Sequence, residues 1–283
     1  MKPVAGILVL LVAAWTATLS MAESNTRAMA DKSGAGLAIG TQTDLTGPQG
    51  DVRRSGFEFM SVSTQALQRD DLANPGMLSV KGGELAWSQS PLPGARTCAD
   101  CHGPAAQAMA GVAARYPAWD EPSSQTVSLS DRINLCRTRH QRVLPLSQES
   151  MALLSLTSFV ANRSRGVAIR PDPDPRLVAD REAGAQLYHR RMGQLDLSCA
   201  HCHDERWGQR LGGALIPQAL PTGYPLYRLE WQALGSLQRR MRNCLNGVRA
   251  EPYAPDAREY RQLELYLHAR AAGMPLETPA VRP

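Results

Sequence analysis

Two copies of the motif C-x-x-C-H constrain this chain more than any other feature of its sequence. They are Cys98-Ala-Asp-Cys101-His102 and Cys199-Ala-His-Cys202-His203. Two thiols on one helical turn can form thioethers with the vinyl groups of a porphyrin, and the histidine that follows can bind the iron. The pattern predicts two covalently bound c-type haems, attached through Cys98, Cys101, Cys199 and Cys202, with His102 and His203 as proximal iron ligands.

The N-terminus has the pattern of an export signal. Lys2 precedes an apolar run from Gly6 to Trp15, and small residues surround Ala22. The run is shorter than the roughly 20 residues that span a bilayer, and no later stretch qualifies. We therefore expect cleavage near Ala22, a periplasmic protein and no membrane span. Because export permits disulfides, the six cysteines could also form three bridges.

The sequence around the first motif is repeated around the second. Trp87 and Tyr188 each lie eleven residues before the first cysteine of their motif. Gly83 and Gly184 each precede that aromatic residue by four positions. Matched spacing at this distance indicates that one domain has been duplicated.

The C-terminal part of each copy predicts a closing helix. Leu156-x-x-Phe159-Val160 in the first copy corresponds to Leu263-x-x-Tyr266-Leu267 in the second. Apolar residues at i, i+3 and i+4 lie on one helical face. We predict a mostly α fold of two tandem cytochrome c domains that arose by internal duplication and follow an irregular N-terminal arm.

Composition and turn residues give the expected boundaries. Residues 23–51 are rich in Gly, Ser, Thr and Asp, and PDPDPR at 171–176 cannot continue a helix. The expected segments are a signal peptide 1–22, an irregular arm 23–51, a first cytochrome c domain 52–170, a linker 171–176 and a second, catalytic domain 177–283.

Hydrophobic content and charge narrow the class of protein. A chain that is 43% hydrophobic and 20% charged is not a disordered tail, yet it has only three Phe, so porphyrins could fill its centres. Lysine occurs at three positions, and the other 28 of 31 basic residues are Arg, which suits oxyanion binding but also a GC-rich genome. Arginines close to haem motifs do not favour nucleic-acid binding.

The distal iron ligands are less obvious from the sequence. Methionine and histidine are the usual choices, but the available ones do not match between the copies: Met109, Met151 and His140 in the first, and Met241, Met274 and His268 in the second. Cys136 and Cys244 do match, 34 and 41 residues past their proximal histidines. They are either axial thiolates or partners in a disulfide.

The chain resembles the SoxA family, the subunits of SoxAX cytochromes that act as L-cysteine S-thiosulfotransferases in sulfur oxidation. The resemblance covers nearly all of the expected mature chain. The segments that carry it, besides the two motifs, are Ser55–Met60, Asp70–Leu78, Arg132–Cys136, Ser164–Gly166, Arg239–Cys244 and Val248–Tyr253.

The resemblance implies roles for particular residues. Cys136 and Cys244 would be the distal ligands of the two haems, and the second haem would be the catalytic one. Cys244 would be a persulfide ligand and the covalent intermediate, and Arg240 would bind substrate. The implied partners are thiosulfate, the small monohaem subunit SoxX, the SoxYZ sulfur carrier, and a soluble cytochrome c that accepts electrons.

Positive charge surrounds both of the extra cysteines. The segment from Gln238 to Arg249, both included, has four arginines and no acid, which favours a bound anion and a deprotonated thiol. Arginines also gather near Cys136, so charge in the sequence does not distinguish the two sites. Two alternatives remain at this level: a dihaem electron carrier with a Cys136–Cys244 disulfide, and a dihaem peroxidase.

Overall fold

The computed structural model describes residues 53–283. The expected signal peptide 1–22 and arm 23–51 lie outside the described residues. Within the described part no helix is both long and apolar enough to cross a membrane. The helices of this part are α1 Val62–Arg69, α2 Gly76–Ser88, α3 Cys98–His102, α4 Ala105–Ala108, α5 Leu129–Cys136, α6 Met151–Asn162, α7 Val178–His189, α8 Cys199–His203, α9 Leu237–Gly247 and α10 Arg258–Arg270.

Short strands and turns connect these helices. The strands are β1 Ala118–Asp120, β2 Gln125–Val127, β3 Arg210–Leu211, β4 Ala214–Leu215, β5 Leu226–Arg228, β6 Ala233–Gly235 and β7 Val281–Arg282. β1 pairs with β2 and β3 with β4, whereas β5 lies between antiparallel β6 and parallel β7. A π-helical turn, Arg137–Gln141, follows α5. The mostly α fold expected from the sequence is confirmed.

In each half the first long helix crosses the closing helix at a glycine. On Gly83 of α2, a Cβ atom would lie 2.1 Å from the carbonyl oxygen of Ser155 in α6. On Gly184 of α7, it would lie 2.0 Å from the carbonyl oxygen of Gln262 in α10. Only a residue without a side chain permits backbones this close. The repeated glycines therefore set the helix crossing.

Aromatic pairs extend the same crossing. One turn after its glycine, Trp87 packs on Phe159 with ring centroids 5.9 Å apart. In the second half Tyr188 packs on Tyr266 at 5.4 Å. Such tilted pairs add to the apolar surface buried between the helices.

The two halves are joined by equivalent segments. The N–H groups of Gly166 and Gly273 donate to the carbonyls of Leu276 and Ile169, both at 2.8 Å. Ile169 and Leu276 in turn donate to Met274 and Val167, at 2.8 and 3.0 Å. Each bond has a counterpart with the halves exchanged, so the pairing has local two-fold symmetry.

One core crosses this junction. Met274, Leu276 and Ala271 from the second half pack in one buried cluster with Val80 and Phe159 of the first. A second cluster lies under the second motif and includes Tyr188, Leu237 and Leu263. The halves are therefore held by shared apolar packing as well as by backbone hydrogen bonds.

Replacing Gly184 with alanine is expected to destabilise the folded protein. The added methyl group meets the Gln262 carbonyl, and overpacking of this kind costs about 1–3 kcal/mol. A Cβ 2.0 Å from that oxygen places the cost at the upper end of this range, so about 2 kcal/mol remains after the roughly 1 kcal/mol that alanine contributes to a helix. For a chain of this size we expect thermal denaturation to show a Tm lower by about 4–8 °C.

Gly213→Ala is the matched control, because a Cβ there meets no atom within 4 Å. It should leave the Tm of the haem-loaded protein within about 1 °C. A Gly184→Ala protein at least as stable as the wild type would contradict the assigned crossing.

Candidate functional site: two haem-attachment centres

Both C-x-x-C-H motifs form single helical turns with a reciprocal cap. In α3 the Thr97 hydroxyl accepts from the Asp100 N–H at 2.9 Å, and the Asp100 carboxylate accepts from the Thr97 N–H at 2.7 Å. In α8, Ser198 and His201 make the same exchange at 3.4 and 2.9 Å. A capping box fixes the start of a helix, so each cysteine pair lies on one side of its turn.

The repeated aromatic residues hold the chain directly after each motif. Trp87 donates its indole N–H to the carbonyl of Gly103 at 3.1 Å. Tyr188 donates its hydroxyl to Asp204 at 2.8 Å. Gly103 and Asp204 each follow the proximal histidine of their motif. The first long helix of each half, α2 or α7, therefore packs in the core and also holds the residue that follows the histidine.

The imidazole of His203 is oriented by a backbone carbonyl. Its Nδ1 lies 2.6 Å from the carbonyl oxygen of Pro217, where it donates a hydrogen bond. This bond leaves Nε2 as the free lone pair for a metal. At the first centre the His102 ring lies 5.6 Å from the indole of Trp87.

Cys136 and Cys244 lie at different centres. Cys136 ends α5, and its charge interacts with those of Cys98 and Cys101. Cys244 lies in α9, within hydrogen-bond reach of His203. All six cysteines are free, so no disulfide joins Cys136 to Cys244.

The donor sets suit covalently bound haem. Each centre combines two thiols on one helical turn, one imidazole and one further thiol. At the second centre His203 and Cys244 lie close enough to interact. The residues that would hold the first haem are Cys98, Cys101, His102 and Cys136, and those for the second are Cys199, Cys202, His203 and Cys244.

Four of the other candidate axial ligands are either buried in the core or exposed. Met109, a candidate for the first haem, and Met274, a candidate for the second, are both buried in the core cluster that the two halves share. Met151 is 58% exposed at the start of α6, and His140 is exposed in the π-helical turn.

The remaining candidates belong to the second half. His268 is buried and its Nδ1 donates to the carbonyl of Glu264 at 2.9 Å. Burial lowers the pKa of His268 to about 4. Met241 packs against the second core cluster.

The two extra cysteines differ in electrostatics. Burial raises the pKa of the Cys244 thiol, but the hydrogen bond with His203 and the charges of Arg240 and Arg228 outweigh it and lower the pKa to about 7. For Cys136 burial is not outweighed, and its pKa stays above the ordinary value. A thiol with a lowered pKa is more often the nucleophilic thiolate at neutral pH.

Arg240 lies one helical turn before Cys244. Burial lowers its pKa, but the charges of Cys244, Tyr224 and Glu230 together outweigh burial and the pKa is raised. In the part of the chain that the structure describes, no carboxylate forms a salt bridge with Arg240. Its charge is therefore available to an anion beside the Cys244 sulfur.

Two residues of the second centre could not be recognised from the sequence. Pro217 acts through its backbone carbonyl, and any residue has one. Arg228 lies on β5, sixteen residues before Cys244. Neither stands in a motif, and the sequence reasoning missed both.

Comparison with known proteins assigns the family. The model of the SoxA/TsdA cytochrome c domain matches residues 82–169 and 183–276. The chain is 33% identical over 244 residues to the L-cysteine S-thiosulfotransferase subunit SoxA of Pseudaminobacter salicylatoxidans, covering 85% of each chain. It is 32% identical to that of Paracoccus pantotrophus, covering 82% of this chain and 80% of the relative.

A solved structure agrees with this assignment. The crystal structure of SoxXA from P. pantotrophus matches with a TM-score of 0.78 and 31% identity, over 82% of this chain and 87% of the other. The family model matches each half of the duplication separately, and the expected tandem cytochrome c domains are thereby confirmed. This chain belongs to the SoxA family of c-type cytochromes.

Proposed function

We propose that this chain is the catalytic dihaem subunit of a periplasmic complex that oxidatively couples thiosulfate to a cysteine of a sulfur-carrier protein. The observation that carries the proposal is the position of the Cys244 thiol, which lies at the second C-x-x-C-H centre and one helical turn after Arg240 on α9. The relatives named L-cysteine S-thiosulfotransferase subunit SoxA support the reaction class.

The first step joins thiosulfate to Cys244. The Cys244 thiolate and the outer sulfur of thiosulfate form an S–S bond, which gives Cys244–S–S–SO₃⁻ and releases two electrons. Charge is conserved, because a monoanion and a dianion become a monoanion and two electrons. When bound, the haem held by Cys199, Cys202 and His203 supplies the route by which those electrons leave for a cytochrome c.

The second step transfers the group. A carrier cysteine thiolate attacks the sulfur next to Cys244, the Cys244–sulfur bond breaks, and the carrier keeps S–S–SO₃⁻. Cys244 returns as a thiolate, and no further electrons are exchanged. Stabilisation of that leaving thiolate by the charge of Arg240 favours the transfer.

Arg240 holds the substrate in this scheme. Thiosulfate is a dianion, and its sulfonate oxygens accept charge-assisted hydrogen bonds from a guanidinium. Because Arg240 is one turn before Cys244 on α9, binding there brings the outer sulfur of thiosulfate towards the thiol.

The proposed partners follow from the reaction and from the relatives. The matching P. pantotrophus structure is that of SoxXA, so a small haem subunit, SoxX, is the proposed permanent partner. A carrier such as SoxYZ must present its cysteine to Cys244, and a soluble cytochrome c must accept the electrons.

Cys244→Ser should abolish thiosulfate coupling, by at least about 1,000-fold, because serine supplies no nucleophilic sulfur. Both haems should remain attached, as mass spectrometry can show. Cys136→Ser is the matched control and should retain most of the coupling rate, since Cys136 lies at the other centre. Coupling that survives in Cys244→Ser would rule out the assigned role.

Arg240→Gln should raise the KM for thiosulfate about 10- to 100-fold, because the substrate loses a hydrogen bond to a charged group. Steady-state kinetics of the complex measures it. Arg239→Gln removes the same charge from the next residue, whose guanidinium instead lies 4.2 Å from the ring centroid of Trp231. A KM for Arg240→Gln no higher than that of Arg239→Gln would contradict substrate binding by Arg240.

Axial ligation by Cys136 and Cys244 predicts a low-spin His/thiolate signal from each haem. Electron paramagnetic resonance and the ligand-to-metal charge-transfer bands of the isolated protein measure it. A methionine-ligated band, or a Cys136–Cys244 disulfide found by peptide mapping, would favour the electron carrier without sulfur chemistry.

A further inference from the structure

The two centres contain the same unit of hairpin and helix, but one position holds an acidic residue in the first centre and a basic residue in the second. In each half a hairpin of three-residue strands leads into the helix that carries the extra cysteine, β1–β2 into α5 and β5–β6 into α9. A serine caps each helix, Ser128 and Ser236. The third residue of the first strand is Asp120 in one hairpin and Arg228 in the other.

This equivalence extends to the arginine before each cysteine. Arg132 and Arg240 each lie four residues after the capping serine and four before the cysteine. The distance from Asp120 to Arg132 along the chain equals that from Arg228 to Arg240. The units can therefore be compared residue by residue.

At the first centre one carboxylate, that of Asp120, pairs with two arginines and offsets part of their positive charge. Its carboxylate lies 2.7 Å from Arg132 and 2.7 Å from Arg139, and its side chain is fully buried. Ser123 donates to the same carboxylate through its N–H at 3.1 Å. This shared pairing reduces the capacity of the two guanidiniums for another anion, although the Nε of Arg132 stays without a hydrogen-bond partner among residues 53–283.

At the second centre Arg228 adds a cation. Its side chain is 13% exposed, its charge acts on both Cys244 and Arg240, and its Nε is buried without a hydrogen-bond partner among residues 53–283. Its salt-bridge partner, Glu230 at 3.1 Å, is 64% exposed. An ion pair with so exposed a carboxylate is largely screened by water.

We propose that Arg228 is a second substrate-binding residue, which together with Arg240 forms a cradle of two guanidiniums for the sulfonate end of thiosulfate. At the equivalent position of the first centre Asp120 offsets part of the positive charge, so that the second centre is the one that favours an oxyanion. This inference rests on the proposed function and adds to it the residue that makes one of two similar centres anion-binding.

The energetics favour an anion at this position. Two guanidiniums confined near one thiol repel each other: burial, and next the charge of Arg240, lower the pKa of Arg228. A dianion relieves that repulsion and accepts the unused N–H groups. The ring of Trp231 lies 5.2 Å from the Arg228 guanidinium and supports it from one side.

The test compares three variants in the complete complex with both haems attached. Arg228→Gln should raise the KM for thiosulfate about 10-fold with little change in kcat, and Arg228→Lys, which keeps the charge, should fall between it and the wild type. Sulfate binding, measured by calorimetry, should weaken in the same order. Arg239→Gln is the matched control, because Arg239 stacks on the same Trp231 ring, and its KM should stay within about twofold.

The outcomes separate this inference from the proposed function. An unchanged KM and unchanged sulfate affinity in Arg228→Gln, with an active wild type, overturn the inference alone. A shifted spectrum or potential of the second haem with unchanged sulfate affinity would assign Arg228 to a haem propionate and would also overturn it. If the wild-type complex binds sulfate but does not couple thiosulfate, and Arg228→Gln weakens the sulfate binding, the cradle is supported and the proposed function is refuted.

Discussion

The close crossing of two helices at a glycine is the constraint on which each half of this protein depends. At Gly83 and Gly184 the backbones approach to a distance that no side chain permits. The crossing places Trp87 and Tyr188 against the closing helix and in reach of the residue after each haem motif. The helix crossing thereby fixes the residue that follows each histidine expected to bind iron.

Duplication supplied two such halves, and their junction preserves the symmetry between them. Gly166 and Gly273 end equivalent turns with φ of +83° and +86°, and each donates to the segment that contains the other. On this repeated framework the two centres also differ in individual side chains, and Asp120 against Arg228 at equivalent strand positions is the clearest of these differences.

The sequence predicted much of the site because covalent haem attachment is encoded locally. The thiol spacing in C-x-x-C-H reflects one helical turn, and the repeat of Cys136 and Cys244 indicated a shared role. The sequence also showed arginines near both cysteines, but it did not show which of them are free to bind an anion. That difference depends on salt bridges such as Asp120–Arg132, between residues twelve positions apart, and no local spacing rule predicts such a pairing.

The sequence by itself determined the fold class, the two motifs, the duplication and the glycines and aromatics of the helix crossing. Only the tertiary structure decided that His203 is oriented by the Pro217 carbonyl and that Cys136 and Cys244 lie at separate centres. It also decided which arginines pair with a buried carboxylate. The physical reason is that a charge acts through distance and burial, and folding sets both by bringing together residues that lie far apart along the chain.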